Sequence, residues 1–162
     1  MSQNRLVSKP PTGLLSFGLR LPIVLFRLGA GWMLGGRFML IKHVGRKSGQ
    51  PYQTVVEVVG HDELSNTFYA ASGWGSKSSW YRNLKNTPET DIQVGRSRLH
   101  VHAETVKPPD GAKVLMQYRQ EHPFAARELS TVMGIDFAQA SPEALETIVR
   151  DSLPIVAFHP AG

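Results

Sequence analysis

The sequence predicts an α+β domain, an antiparallel sheet followed by a helical layer, on three observations. Apolar, β-branched runs at Phe38–Val44, 53–59 and Thr67–Ala71 succeed one another through short polar connections, as the strands of a meander do. A second pair of runs, 92–94 and 99–106, flanks Gly95-Arg96-Ser97 with alternating residue character, as in a hairpin. Between Pro108 and Asp151 the pattern changes to helical spacing in three segments punctuated by proline and glycine. At 162 residues and no cysteine, the chain can bury one core without disulfides.

Residues 13–35 are expected to form an amphipathic helical segment. Its apolar stretch, 14–34, is interrupted by Pro22 and by Arg20 and Arg27, seven residues apart and therefore on one helical face. A spanning helix needs about twenty mostly apolar residues with few charges, so a transmembrane segment is rejected. A secretory signal is rejected too, since no small-x-small cleavage site follows. The segment suits either the surface of its own domain or an anionic lipid surface. Residues 1–12 are expected to be disordered and 13–159 to form one domain, with the main sheet in 38–106, helices in 109–151 and a final strand in 153–159.

Within the sheet, His61 to Asn66 is polar and reads as a turn. Residues 78–86 carry Trp80, Tyr81 and Leu84 at helical spacing and stop before Pro88. Pro108-Pro109-Asp110 breaks the preceding strand, and a helix is expected from about Gly111 to Glu121, with Val114, Leu115 and Tyr118 on one side. Pro123 opens a second helix that Gly134 stops. Ser141-Pro142-Glu143 opens a third, because serine caps and proline suits the first helical position.

The most informative stretch is Gly45-Arg46-Lys47-Ser48-Gly49-Gln50-Pro51. Its glycines permit close backbone approach, so amide donors can converge on an anion while Arg46 and Lys47 add full charges. It matches neither a Walker loop nor a Gly-x-Gly-x-x-Gly turn. The same residues would also serve as a solvated basic turn between two strands. A formal net charge of +5 favours anionic partners generally: a phosphorylated or polyglutamyl cofactor, an acidic membrane surface, or nucleic acid.

Downstream stand Ser72-Gly73-Trp74-Gly75, then Trp80-Tyr81-Arg82-Asn83-Leu84, Pro88, Val94-Gly95 and finally Leu153-Pro154-Ile155-Val156. In this order the chain resembles the deazaflavin-dependent nitroreductase family, over roughly residues 38–105 and again at 153–156. The resemblance implies a split β-barrel of the FMN-binding type with peripheral helices, and coenzyme F420 as cofactor. It implies that Arg46, Lys47, Ser48 and Gly49 hold the cofactor's phosphate and acidic tail, with Gln50 and Pro51 completing the turn. It places the backbone of Thr54 and Val55 beside the deazaflavin ring, with Ser72 and Gly73 at a strand end where a flat ring can approach. Trp80, Tyr81 and Asn83 belong to the helix that borders the cofactor. On packing grounds, Trp80 and Tyr81 equally suit a core.

Three departures from the family pattern bear on substrate. Tyr52 stands where many relatives carry a second arginine, Trp74 sits in a shortened loop, and the tyrosine cluster of the nitro-reducing members is replaced by Glu121-His122-Pro123-Phe124-Ala125-Ala126. The expected activity is hydride transfer from reduced F420 to a quinone, nitroaromatic or activated enone, the proton coming from water, Tyr81 or His122. Two alternatives stay open: an FMN-binding oxidoreductase of the same fold, and a non-catalytic binder of F420 or a lipid-like ligand.

Other classes find little support. His100 and His102 share a strand face, but no convincing third ligand accompanies them, so no metal is expected. His122, before a proline, also suits a helix-end cap. No Gly-x-Ser-x-Gly elbow marks a hydrolase. The cations are dispersed from Arg5 to Arg150 without an aromatic-basic strand motif, so no nucleic acid is expected. The expected setting is cytoplasmic, with a hydrophobic electron acceptor, a monomer or homodimer, and peripheral association with the inner membrane face as a further reading.

Overall fold

The computed structural model describes residues 24–73 and 75–162. The expectations for residues 1–12 and for 13–23 of the amphipathic segment, and for Trp74, lie outside the described residues. Six strands close an antiparallel barrel: β1 (Phe38–Val44), β2 (Pro51–Asp62), β3 (Thr67–Ala71), β4 (Glu89–Val94), β5 (Ser97–Thr105) and β6 (Ile155–Pro160). Around the barrel the order is β1-β2-β3-β6-β5-β4. Among the described residues four helices of two turns or more accompany it: α1 (Ser79–Asn86), α2 (Pro108–Glu121), α3 (Pro123–Met133) and α4 (Pro142–Asp151). Before β1 come a helical turn at 24–27 and a 3-10 turn, Gly31–Leu34.

Two apolar layers follow from the strand period. Met39, Ile41, Phe68, Ala70, Ile92, Val101 and Phe158 point into the barrel, and Trp80, Tyr81 and Leu84 of α1 plug one end of it. Outside, Val59 and Ile155 meet Leu115, Tyr118, Leu145 and Val149 of the helical layer. Each such side chain taken from water contributes about 1.5–3 kcal/mol before chain entropy is charged against it.

The strand bounds agree with the sequence for β1 and β3 and differ elsewhere for local reasons. β2 runs on to Asp62 because His61 and Asp62 pair with Phe68 and Thr67 across the hairpin, after a bulge between Val58 and Gly60. The turn is thus shorter than its polar run. α2 begins at Pro108 rather than Gly111, since both prolines occupy the first turn, where no N–H is needed. The last strand starts at Ile155, two residues after the predicted 153. The caps behave as read: Ser141 Oγ accepts from the Ala144 N–H at 3.1 Å, and Gly134 ends α3 in the left-handed conformation.

One break in the barrel positions everything that follows. β2 pairs with β1 from Pro51 to Glu57, but its ladder with β3 ends at Val58–Ala70. On the β3 side, residues 51–57 of β2 therefore carry no ladder partner among the described residues.

Candidate functional site

The loop between β1 and β2 is a tight turn closed on itself. The Gly45 N–H donates to Gln50 O and the Gly49 N–H to Gly45 O, each at 2.9 Å, and the Gln50 N–H donates to Ser48 Oγ at 3.2 Å. Gly49 sits at φ +69°, a conformation that favours glycine, and a Cβ on Gly45 would fall 2.5 Å from Ser48 Oγ, so a side chain there would displace Ser48 and Tyr52. The Arg46 N–H is turned inward to Asn83 Oδ1 at 3.1 Å. Only the N–H groups of Lys47 and Ser48 lack a partner among the described residues. The expected nest is thus narrower than the motif suggested: two free amides, flanked by the Lys47 ammonium and the Arg46 guanidinium. Neither cation has a carboxylate partner among the described residues. Such a donor set fits a phosphate or carboxylate group.

Behind the loop, Asn83 is consumed by the protein. Its Oδ1 also accepts from Arg46 Nη1 at 3.0 Å, and its Nδ2 meets His43 Nδ1 at 2.9 Å. His43 Nε2 lies 2.9 Å from Thr54 Oγ1, and its ring stacks on Tyr52 with centroids 5.8 Å apart. Burial depresses the His43 pKa. His43 belongs to none of the motifs in the sequence. The signal was there: His43 continues the inward Met39–Ile41 row of β1, and a polar side chain on a core face must have partners.

Along β2, the Thr54 hydroxyl is engaged by His43 and its backbone faces Ile41 in the ladder with β1, so at the unpaired edge it is the backbone of Val55 that remains for a ligand, and the expected part of Thr54 is not available there. Ser72 and Gly73 follow β3 just past the point where the two strands part. Ser72 is buried, its Oγ donating to Gly75 O at 2.6 Å and its N–H to Pro154 O at 2.9 Å. Among the described residues other than its chain neighbours, none comes within 4 Å of a Cβ on Gly73.

At the far end of β2 lies a cleft of about 1280 Å³ between the strand and the helices, lined by Arg37, Glu57, Tyr69, Gln117, His122 and Phe124 among others. From Gln50 to Glu57 is seven strand residues, or about 23 Å. The loop, the open edge and the cleft thus lie in series along β2, a track from one end of the strand toward the other. His122 lies on the cleft, beside Tyr118 with ring centroids 5.4 Å apart. Tyr118 and Glu57, also on or under the cleft, carried no functional reading in the sequence.

Trp80 and Tyr81 are not on this track. Trp80 stacks on Phe158 inside the barrel, and the Tyr81 hydroxyl lies 3.2 Å from Thr105 Oγ1 on β5, beside a separate pocket of about 240 Å³. The reason is helical spacing: Tyr81 and Asn83, two residues apart on α1, face nearly opposite ways. Tyr81 and His122 therefore do not share a cavity.

The sequence profile described as F420H(2)-dependent quinone reductase matches residues 26–135. The chain is 32% identical over 99 residues to an F420H(2)-dependent quinone reductase of Mycobacterium tuberculosis, covering 57% of this chain and 65% of that one. It is 33% identical over 90 residues to a second protein of that organism, provisionally named for the same activity, covering 54% and 74%. Among solved structures, an F420-H2 dependent reductase superposes with a TM-score of 0.53 at 18% identity, over 76% of this chain and 94% of that one. A protein of unknown function from Agrobacterium tumefaciens gives 0.56 at 14% identity, over 95% and 58%. The structural likenesses bear on the fold alone, which they identify as the split barrel.

Proposed function

Because the chain belongs to the F420H(2)-dependent quinone reductase family, we propose that it reduces quinones with reduced coenzyme F420. The observation that carries the reading is the track: a cationic loop, an unpaired strand edge and a large cleft in series on β2. Lys47, Arg46 and the free amides of Lys47 and Ser48 hold the anionic part of the cofactor. The open edge of β2 at Val55 supplies a backbone donor and acceptor to the ring, Thr54 being held in the ladder with β1, and Gly73 leaves room for it. Bound F420 in its reduced form supplies a hydride equivalent. The acceptor sits in the cleft, where His122 can hold or deliver a proton at a ring nitrogen. Tyr81, turned to Thr105, serves the barrel instead.

The acceptor is hydrophobic. Phe124 is 72% exposed on the cleft wall, and Leu64 faces the same space from the β2–β3 turn. Among the described residues no helix is long and apolar enough to cross a membrane. Exposed Val24, Leu28, Trp32 and Met33, with Arg27 beside them, support peripheral association with an anionic surface.

Separate fluorescence titrations with F420 and FMN test the assignment. F420 binds more tightly, and return of the oxidised deazaflavin absorbance follows addition of a quinone to the reduced complex. Equal or reversed affinities overturn the cofactor assignment.

A further inference from the structure

The Arg46 anchor has a direction that can be deduced atom by atom. The Arg46 N–H and Nη1 can only donate, and both point at one atom of Asn83, 3.1 and 3.0 Å away. That atom must be the carboxamide oxygen. The Asn83 amide nitrogen then faces His43 Nδ1 at 2.9 Å, so Nδ1 must carry a lone pair. The imidazole proton is left on Nε2, where it is donated to Thr54 Oγ1 at 2.9 Å. Asn83 and His43 are 3% and 6% exposed, so water offers little substitute for any member of the chain. Loop, β1, β2 and α1 are joined by this one run of bonds.

We propose that His43 and Asn83 are positioning residues that lock Arg46 into the cofactor-binding loop, and that the lock closes only when the His43 imidazole is neutral. The inference rests on the assignment of the loop to the cofactor's anionic group. A proton on Nδ1 would face the Asn83 amide hydrogens, donor against donor. Rotating Asn83 to relieve that contact would turn its amide nitrogen onto the two Arg46 donors. Either way Arg46 is released, so a charged His43 and an anchored loop exclude one another.

The groups facing His43 are the Tyr52 ring and Thr54 from β2, Asn83 from α1, and the Arg46 guanidinium beyond Asn83. No carboxylate among the described residues is hydrogen-bonded or ion-paired to it. Burial therefore acts on His43 without an opposing carboxylate, holding the imidazole neutral. A bound anion would draw His43 toward its cation through space, but the donor-on-donor contacts act at hydrogen-bond distance and are stronger than that remote attraction.

Two measurements test the lock. Nitrogen NMR of the cofactor-free protein should show His43 as the Nε2–H tautomer at neutral pH, with the Asn83 side-chain amide signals moving as His43 titrates. Oxidised F420 affinity, measured against pH by fluorescence, should fall about tenfold as pH drops through that titration, the equivalent of one charge-assisted bond. His43→Leu should bind about tenfold more weakly at every pH. His43→Asn, whose carboxamide oxygen can stand in for Nδ1 and which cannot titrate, should recover most of that loss and abolish the pH dependence. An Nδ1–H tautomer, or F420 binding that is indifferent to both variants and to the titration, overturns the lock and leaves the cofactor assignment standing. Failure of the wild-type protein to bind F420 while His43 shows the Nε2–H tautomer overturns the assignment instead.

Discussion

The Tyr118 hydroxyl on α2 donates to Glu57 Oε1 on β2 across 2.9 Å, while Arg37 Nε stands 3.9 Å from the same oxygen. This contact ties the helical layer to the barrel beneath the cleft. Tyr118 is 1% exposed, and burial first, then the Glu57 charge, pushes its phenol pKa well above the ordinary value. The folded state thus favours the protonated phenol. Its contribution to stability is full below the ordinary tyrosine pKa near 10 and is lost as pH rises beyond it. Spectrophotometric titration should show Tyr118 ionising above the ordinary tyrosine range, and Tyr118→Phe should lower stability by about 1 kcal/mol at neutral pH in urea. A Tyr118 that ionises at the ordinary value would contradict the buried contact.

Lys47 projects from the loop with no acidic partner among the described residues. Lys47→Ala should weaken F420 binding by about 1.5–3 kcal/mol, as loss of a charge-assisted hydrogen bond does. Added salt should weaken wild-type binding in the same direction. The melting temperature should barely move. A large melting shift with unaltered affinity would make Lys47 structural.

Gly111 is the point where α2 approaches the last strand. A Cβ there would lie 2.7 Å from Val149 Cγ1 and 3.1 Å from Ile155 Cγ1. Alanine improves helix propensity by up to about 1 kcal/mol, but overpacking a tight core costs about 1–3 kcal/mol. Gly111→Ala should therefore be net destabilising in a denaturant melt, with cofactor affinity unchanged. A stabilised variant would mean that α2 can slide away from Val149.

Leu28 and Met33 are 76% and 64% exposed, and the Arg96 guanidinium lies over the Trp32 ring at 4.9 Å. Co-sedimentation should detect weak association with anionic vesicles, stronger at low salt and absent with neutral ones. Replacing Leu28 and Met33 with serine should diminish it. If the protein stays out of every vesicle pellet, the membrane reading fails.

Much of this protein is legible without coordinates, because the relevant physics is local. The alternation in β1 and β3, the glycine-bounded cations at 45–49 and the Ser141-Pro142 helix start each depend on residues within a turn or two, and each element appears where its pattern lies. Their order also carried the family resemblance. What tertiary structure alone decided is which groups remain free after the barrel closes. β2 leaves β3 at Val58–Ala70, which opens the strand edge between loop and cleft, and no local pattern marks that parting. Asn83 reads like a cofactor ligand beside Trp80 and Tyr81. Closure instead brings it against Arg46 and His43, 37 and 40 residues away, and uses every polar atom of its side chain. A buried polar group takes whatever partner the fold presents, and that choice is made between elements distant in the chain.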